Sequence, residues 1–214
     1  LLIIGVAFSV VGVSLFQLVG EYLFNQRIKD DQRIADSLAE RVCASFAALN
    51  AAEMLKYAAE TCQDEDSRVL ILGSMPSVKS LEDGFYYGHP RNAFWRVLAD
   101  VFAEPLPEDI PAKKRLLLRH GLALWDVIVS CERDGSLDSA IRREELNDFA
   151  AFFAAHPSIH AVLVNGGLAA QKFKPALAEG RPIVRLPSTS PAYTLPYDKK
   201  RAAWRSALMR FLED

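Results

Sequence analysis

From Arg68 onward, short runs of uninterrupted apolar residues alternate with helix-like segments, and each run stops in residues suited to a tight turn. Val69-Leu70-Ile71-Leu72 ends in Gly73, and Leu122 to Ile128 forms a second run that contains Trp125-Asp126. Ala161-Val162-Leu163-Val164 ends in Asn165-Gly166-Gly167, and Ile183 to Leu186 ends in Pro187. A run too short for a helix and apolar at every position suits a strand buried on both faces, as strands of parallel sheets are. Helices are expected over Asn92–Phe102, where Phe94, Trp95, Leu98 and Val101 share a face, and from about Ala112 to His120. Two more are expected over Glu144–Ala155, ended by His156-Pro157, and over Lys199–Leu212. This alternation predicts an α/β fold whose parallel sheet is covered on both faces. Ligands bind such sheets beyond the carboxyl ends of the strands, so the informative residues should follow each run.

They do. The first run leads into Gly73-Ser74-Met75-Pro76-Ser77 and then Tyr86-Tyr87-Gly88-His89-Pro90-Arg91-Asn92-Ala93-Phe94-Trp95. The second carries Trp125-Asp126 and is followed by Gly135-Ser136-Leu137-Asp138-Ser139. The third ends in Asn165-Gly166, and the fourth in Leu186-Pro187-Ser188-Thr189-Ser190-Pro191-Ala192. Taken singly, a Gly-x-x-Pro loop or an Asn-Gly pair is usually turn chemistry, and a Ser/Pro segment is usually a linker. Four such segments at one edge of one sheet point to a site.

The N-terminal part differs. Residues 1–20 carry no charge, and twenty such residues can span a hydrocarbon core of about 30 Å. One reading is a membrane anchor or an uncleaved signal. The other is a segment not native to the domain, since the chain begins with Leu and its first methionine is Met54. A cleaved signal peptide fits poorly without a basic n-region. Residues 25–60 have helix-forming composition, with Ile28, Ile34, Leu38, Val42 and Phe46 spaced by about one turn. Residues 1–65 hold five Lys/Arg against nine Asp/Glu, and residues 66–214 hold twenty against eighteen, so the balance changes sign near Asp66. The expected organisation is a hydrophobic segment over 1–24, a helical spacer over 25–65 and the main domain over 66–214. A net charge of −2 excludes a strongly basic nucleic-acid binder but leaves room for a local basic face. Cys43, Cys62 and Cys131 are too few and scattered for a disulfide framework or an iron–sulfur cluster. The four histidines lack metal-ligand spacing, so neither metal nor cofactor is expected.

The strings GSMPS, YYGHPRNAFW, LWDV, GSLDSAI, VNG and LPSTSPA, in this order, resemble the hypoxanthine-DNA glycosylase branch of the uracil-DNA glycosylase superfamily. The resemblance covers nearly all of 66–214 and nothing in 1–53. It implies a three-layer α/β/α sandwich with a four-stranded parallel sheet, no metal, and hydrolysis of the N-glycosidic bond to a damaged base. Domains of this family begin about where Met54 lies, which favours an upstream segment dispensable for activity. Such an enzyme must take the base out of the stack, read its edge and hold a water against C1′.

The resemblance places these roles on particular residues. Relatives that act on mismatches carry a water-orienting Asn where this chain has Met75, which hydrogen-bonds poorly. The role passes to Asn92 of the HPRN string, a residue that can also cap the following helix. Tyr87 is expected to stack on the flipped base, with Tyr86 closing the core. Asp126 stands where the uracil enzymes read the base with Asn, and as an acceptor it suits the N1–H of hypoxanthine. Asp126 could instead only cap or pair with an arginine. Asn165, Gly73 and Ser74 complete the base-binding set, and Ser136 and Asp138 brace their loop. Ser188, Thr189, Ser190 and Pro191 are expected on DNA phosphates, with Lys199, Lys200 and Arg201 close behind; a charge run of this kind is otherwise a solvated face. The uracil enzymes have His at the Leu186 position. His89, His120 and His160 are assigned no catalytic part.

The expected protein is a monofunctional glycosylase that releases hypoxanthine and leaves an abasic site, since no lysine in the motifs suggests a lyase. The alternatives are a uracil or mismatch-specific glycosylase, or a non-catalytic nucleic-acid-binding domain of the same fold. The expected partner is DNA bearing a deaminated base, with no protein partner implied. A cytoplasmic monomer is expected, tethered to a membrane only if residues 1–20 are native.

Overall fold

Every residue of the first apolar run is fully buried because helices cover both faces of the strand it forms. The computed structural model describes residues 26, 27, 29, 63–132 and 141–213. The chain divides into two units, Leu1–Asn50 and Ala51–Asp214, and the second carries the architecture described here. The expected hydrophobic segment 1–24, most of the spacer 25–65, and Ser136 and Asp138 lie outside the described residues. Among the described residues no helix is long and apolar enough to cross a membrane.

In chain order the elements are β1 (Val69–Gly73), α1 (Val78–Glu82), α2 (Phe94–Phe102), α3 (Ile110–Arg119), β2 (Leu122–Asp126), β3 (Ile128–Glu132) and β4 (Arg142–Leu146). Then follow α4 (Phe149–Ala155), β5 (Ala161–Asn165), α5 (Gly167–Lys172), a 3₁₀ turn (Pro175–Ala178), β6 (Ile183–Leu186) and α6 (Tyr197–Leu212). The main sheet has the order β2-β1-β5-β6 and is parallel throughout. Side chains alternate across a strand, and β1 divides accordingly. Val69 and Ile71 join the core formed with α2, α3 and α6, while Leu70 and Leu72 join the core formed with α4, α5 and the 3₁₀ turn. The expected α/β/α sandwich with a four-stranded parallel sheet is the architecture observed.

Local signals set most helix ends. Asp109 Oδ1 accepts from the Ala112 amide and Asp148 Oδ1 from the Ala151 amide, each filling one of the donors left over at a helix start. α3 therefore begins at Ile110, two residues before its expected start, with a proline in its first turn. α2 begins at Phe94 and α6 at Tyr197.

The stretch from Val127 to Asn147 departs from expectation. A single second strand was expected through Ile128, and a helix from Glu144. Instead the chain breaks at Val127, and β3 pairs with β4 as an antiparallel hairpin. Glu144, Glu145 and Leu146 favour helix by composition, but the hairpin offers them cross-strand partners. Ser130 Oγ donates to Glu145 Oε2 at 2.9 Å, Arg143 pairs with Glu132 at 2.9 Å, and Glu144 pairs with Lys172. Such exposed pairs contribute roughly 0–1 kcal/mol each. Each fully buried Leu, Ile or Val of the main sheet contributes about 1.5–3 kcal/mol, so the sheet and not the hairpin carries the stability.

The helix layer is pinned to the sheet by Trp204, which is fully buried on α6. Its ring meets Phe94 edge-on at 5.7 Å, and its Nε1 donates to the Pro187 carbonyl at 3.0 Å. Trp204→Ala should lower the unfolding free energy by about 3–5 kcal/mol in urea titration. Asp148→Ala, which removes only a cap, should cost about 1 kcal/mol. A Trp204 loss no larger than the cap's would show that this contact does not anchor the layer.

Candidate active site

The parallel register sets the carboxyl end of β1 between two polar neighbours. Gly73 stands opposite Asp126 of β2, and the Val127 and Ile128 amides continue the pairing by donating to the carbonyls of Gly73 and Ser74 at 2.9 and 3.0 Å. A Cβ at Gly73 would lie 2.3 Å from Asp126 Oδ1 and 3.1 Å from the Tyr87 hydroxyl oxygen. Glycine is thus the residue that allows a buried carboxylate and a phenol to converge over the strand end.

Tyr87 reaches this point from a strained backbone. Its φ of 52° is in the left-handed region, uncommon for a bulky residue and often found where function requires it. Its ring stacks on Phe94 with centroids 3.9 Å apart, and its hydroxyl accepts from Asn165 Nδ2 at 3.1 Å. Burial, followed by the nearby Asp126 carboxylate, holds the phenol well above the ordinary tyrosine range. It therefore faces Asp126 as a neutral hydroxyl and not as a second anion.

Asn165 connects the remaining wall. Its second amide hydrogen goes to Thr189 Oγ1 at 2.9 Å, and its Oδ1 accepts from the Thr189 amide at 3.0 Å. Thr189 is itself buried, and its carbonyl accepts from the Ala93 amide just before α2. Ser188 Oγ accepts from the Ser190 amide and Ser190 Oγ from the Ala192 amide, two small side-chain turns that fold the Ser/Pro loop. Asn92 lies just before Ala93, the N-cap residue of α2, and its Oδ1 accepts from the Phe94 amide at 3.0 Å.

These segments enclose a cleft of about 630 Å³. Nine of the expected residues line it: Gly73, Ser74, Tyr87, Asn92 and Asp126 on one side, and Asn165, Ser188, Thr189 and Ser190 on the other. Pro191, Lys199 and Lys200 do not. Lys200 corrects an expectation: it is buried, and its Nζ donates to the Tyr193 carbonyl at 2.6 Å, with the Ser190 carbonyl 3.5 Å away. Its ammonium group ties the loop to α6 through these carbonyls. Lys199 and Pro191 are exposed. Asn165 and Thr189 also differ from expectation, since the groups assigned to the base edge and to phosphate are committed to each other.

Tyr86 is buried in the core, as expected, yet also touches the cleft. Met75 lines the cleft with the Cys131 thiol 2.9 Å from its sulfur. Leu168 and Gln171 of α5, with Ser77, Ser80 and Tyr193, line it too and were not anticipated from sequence. The Gly166-Gly167 turn was the available signal for α5, because it aims the next helix back over the strand end. Among the described residues no group of His, Cys, Asp and Glu could hold a metal.

With this geometry in place, the comparisons are informative. The family model described as the uracil DNA glycosylase superfamily matches residues 59–213. A hypoxanthine DNA glycosylase from Methanosarcina acetivorans is 35% identical over 155 residues, covering 72% of this chain and 98% of that protein. Another from Methanosarcina barkeri is 36% identical over 150 residues, covering 69% and 94%. The solution NMR structure of a candidate uracil DNA glycosylase from Methanosarcina acetivorans superposes with a TM-score of 0.63 at 34% identity, covering 72% of this chain and 95% of that one.

Two predictions follow from the site's geometry. Gly73→Ala must displace the Asp126 carboxylate or the Tyr87 ring, so it should destabilise the fold by about 1–3 kcal/mol and weaken ligand binding in the cleft. Full stability with unchanged binding would mean the approach is not tight. The second concerns alkaline pH. Tyr87 is held above its ordinary value, and Tyr197 is pushed up to about 12, by burial first and then by its bond to Asp100. Below pH about 10 both phenols are protonated folded or unfolded, so their contribution is complete. Above it the unfolded chain loses protons that the folded chain keeps, and stability falls, for Tyr197 through pH about 12. Urea titrations from pH 8 upward should show this decline, and Tyr87→Phe should make it shallower.

Proposed function

The chain belongs to the uracil DNA glycosylase superfamily, and from that premise we infer that it is a monofunctional DNA glycosylase that releases hypoxanthine from deaminated adenine. The observation that carries this reading is the buried Asp126 carboxylate at the cleft floor, beside Gly73 and the Tyr87 hydroxyl. Hypoxanthine presents an N1–H where adenine presents a lone pair. A carboxylate accepts from the first and repels the second, so the deaminated base is preferred by charge as well as by hydrogen bonding.

The base enters the cleft after leaving the duplex, at an unstacking cost that the pocket must repay. Phe94 stacks on Tyr87, which lines the cleft and is the aromatic this reading assigns to the base. Stacking of that kind contributes about 1–3 kcal/mol and tolerates different bases, so it holds while Asp126 selects. Asn165 does not read the base in this scheme; it holds Tyr87 and Thr189 in position. Ser188 and Ser190 stand at the rim for the flanking phosphates.

In the chemical step the bond between C1′ and the base nitrogen breaks with its electron pair on the base. A water oxygen then bonds to C1′, and the proton it gives up neutralises the departed base anion. Asn92 has one Oδ1 lone pair engaged by the Phe94 amide, and retains a second lone pair and an amide group with which to hold that water. That bond leaves room for a water and fixes the side chain for the task. The sugar develops oxocarbenium character, as in other glycoside cleavages.

Oligonucleotides carrying hypoxanthine, uracil or xanthine test the reading directly. Release of hypoxanthine, with strand breakage only after alkali, is the expected result. Asn92→Ala should slow the single-turnover rate by about 10²–10³-fold, the range for loss of one preorganised hydrogen-bonding side chain. Asp126→Asn should reduce discrimination between hypoxanthine and adenine. Release of uracil alone would keep the enzyme class and overturn the base assignment.

A further inference from the structure

Among the described residues, no lysine or arginine lines the cleft. A DNA strand that delivers a base into it must nevertheless bring charged phosphates to its rim. Lys200, whose Nζ reaches the Ser/Pro loop, is committed to backbone carbonyls. The neutralising charge has to come from elsewhere.

The structure contains a second depression, of about 370 Å³, that shares Tyr87 and Asn92 as walls with the cleft. It is lined by Arg91, Arg96, Lys113 and His89 with the Trp95 ring, and among the described residues no carboxylate lines it. Two of its cations are held against aromatic rings. Arg96 lies 4.0 Å above Tyr197, and Lys113 Nζ lies 5.5 Å from Trp95 and 5.9 Å from Phe85. Ring contacts of this kind orient a cation without neutralising it, so the charge remains for a ligand. The nearest opposing charges on Lys113 are Asp83 and Asp109. Asp83 is paired with Lys79 at 2.8 Å, and Asp109 accepts from the Ala112 amide.

We propose that this basic groove is a phosphate track for the lesion-bearing DNA strand, holding two or three backbone phosphates on one side of the flipped nucleotide. The proposal rests on the glycosylase reading for its ligand, and it assigns to Arg91, Arg96 and Lys113 a role separate from base recognition and chemistry. Continuity decides for a strand over a free anion: a backbone leaving the cleft over Asn92 enters the groove at once. Arg91 is adjacent to Asn92, and the Arg91 amide donates to His89 Nδ1 at 3.1 Å, so the turn that positions Asn92 also presents the first cation.

Binding of an undamaged duplex, read by fluorescence anisotropy against salt concentration, tests the groove without requiring catalysis. Each phosphate neutralised adds about 0.9 to the slope of log affinity against log salt. The full-length chain with Arg91→Gln, Arg96→Gln and Lys113→Gln together should bind with a slope shallower by about 2–3 and roughly tenfold more weakly at low salt. A charge-keeping variant, Arg91→Lys, Arg96→Lys and Lys113→Arg, should retain the slope. Arg210→Gln serves as a control, because the end of α6 lies by the opposite sheet edge, where Arg68 donates to the Leu212 carbonyl. An unchanged slope in the triple Gln variant, or an equal loss in the charge-keeping variant, would overturn the track. If the slope changes as expected but the unmodified protein releases no hypoxanthine, the groove stands and the assigned activity falls.

Discussion

The amide of Asn165 is the interaction on which the site's shape depends. It bonds a phenol 78 residues earlier and a threonine 24 residues later. Three loops that leave different strands are thereby joined at one side chain. Without it, the Tyr87 hydroxyl and the Thr189 amide and hydroxyl would be left in a poorly hydrated wall, at about 1–3 kcal/mol for each unsatisfied group. That penalty is what makes the arrangement specific: a longer, shorter or apolar side chain at the end of β5 cannot satisfy all three.

The rest of the cleft is organised around this lock. The Tyr87 ring is sandwiched in place by Phe94 below and Asn165 at its hydroxyl, which sustains a backbone conformation that a tyrosine would otherwise avoid. The Ser/Pro loop is tied at Thr189 from the sheet, at Pro187 by Trp204 and at Tyr193 by Lys200. A loop held at so many points is preorganised, so little ordering remains to oppose DNA binding. Charge is partitioned as well. Asp126 lines the cleft, while Arg91, Arg96 and Lys113 line the neighbouring groove, so the carboxylate and the cations occupy separate surfaces.

Much of this was legible in the residues. The four apolar runs and the turn residues after them follow from period and apolarity, the rule that parallel sheets bind ligands at their carboxyl ends pointed to those segments, and the resemblance to the glycosylase family picked out the nine residues that line the cleft. The misreadings came where two local signals competed. Glu144 to Leu146 favour helix by composition, yet they form β4, where Ile128 and Ser130 lie across from Leu146 and Glu145 and Lys172 pairs with Glu144. Asp148, a good N-cap, was the residue that marked the true helix start. Leu168 and Gln171 escaped notice because nothing in a six-residue helix shows which way it turns over the sheet.

By itself, the sequence determined the layers, the strand ends and the set of polar residues available at one edge of the sheet, because periodicity and turn chemistry act over a few neighbouring positions. Only the tertiary structure decided what each polar group does there. Lys200 reads as a surface cation and is a buried brace; Asn165 reads as a base-edge amide and is a lock; Asn92 reads as a cap or a water holder, and its Oδ1 accepts from the Phe94 amide at the start of α2. The physical reason is that a hydrogen-bonding group is defined by the partner it meets, and these partners are brought together across the fold by the parallel register of the sheet.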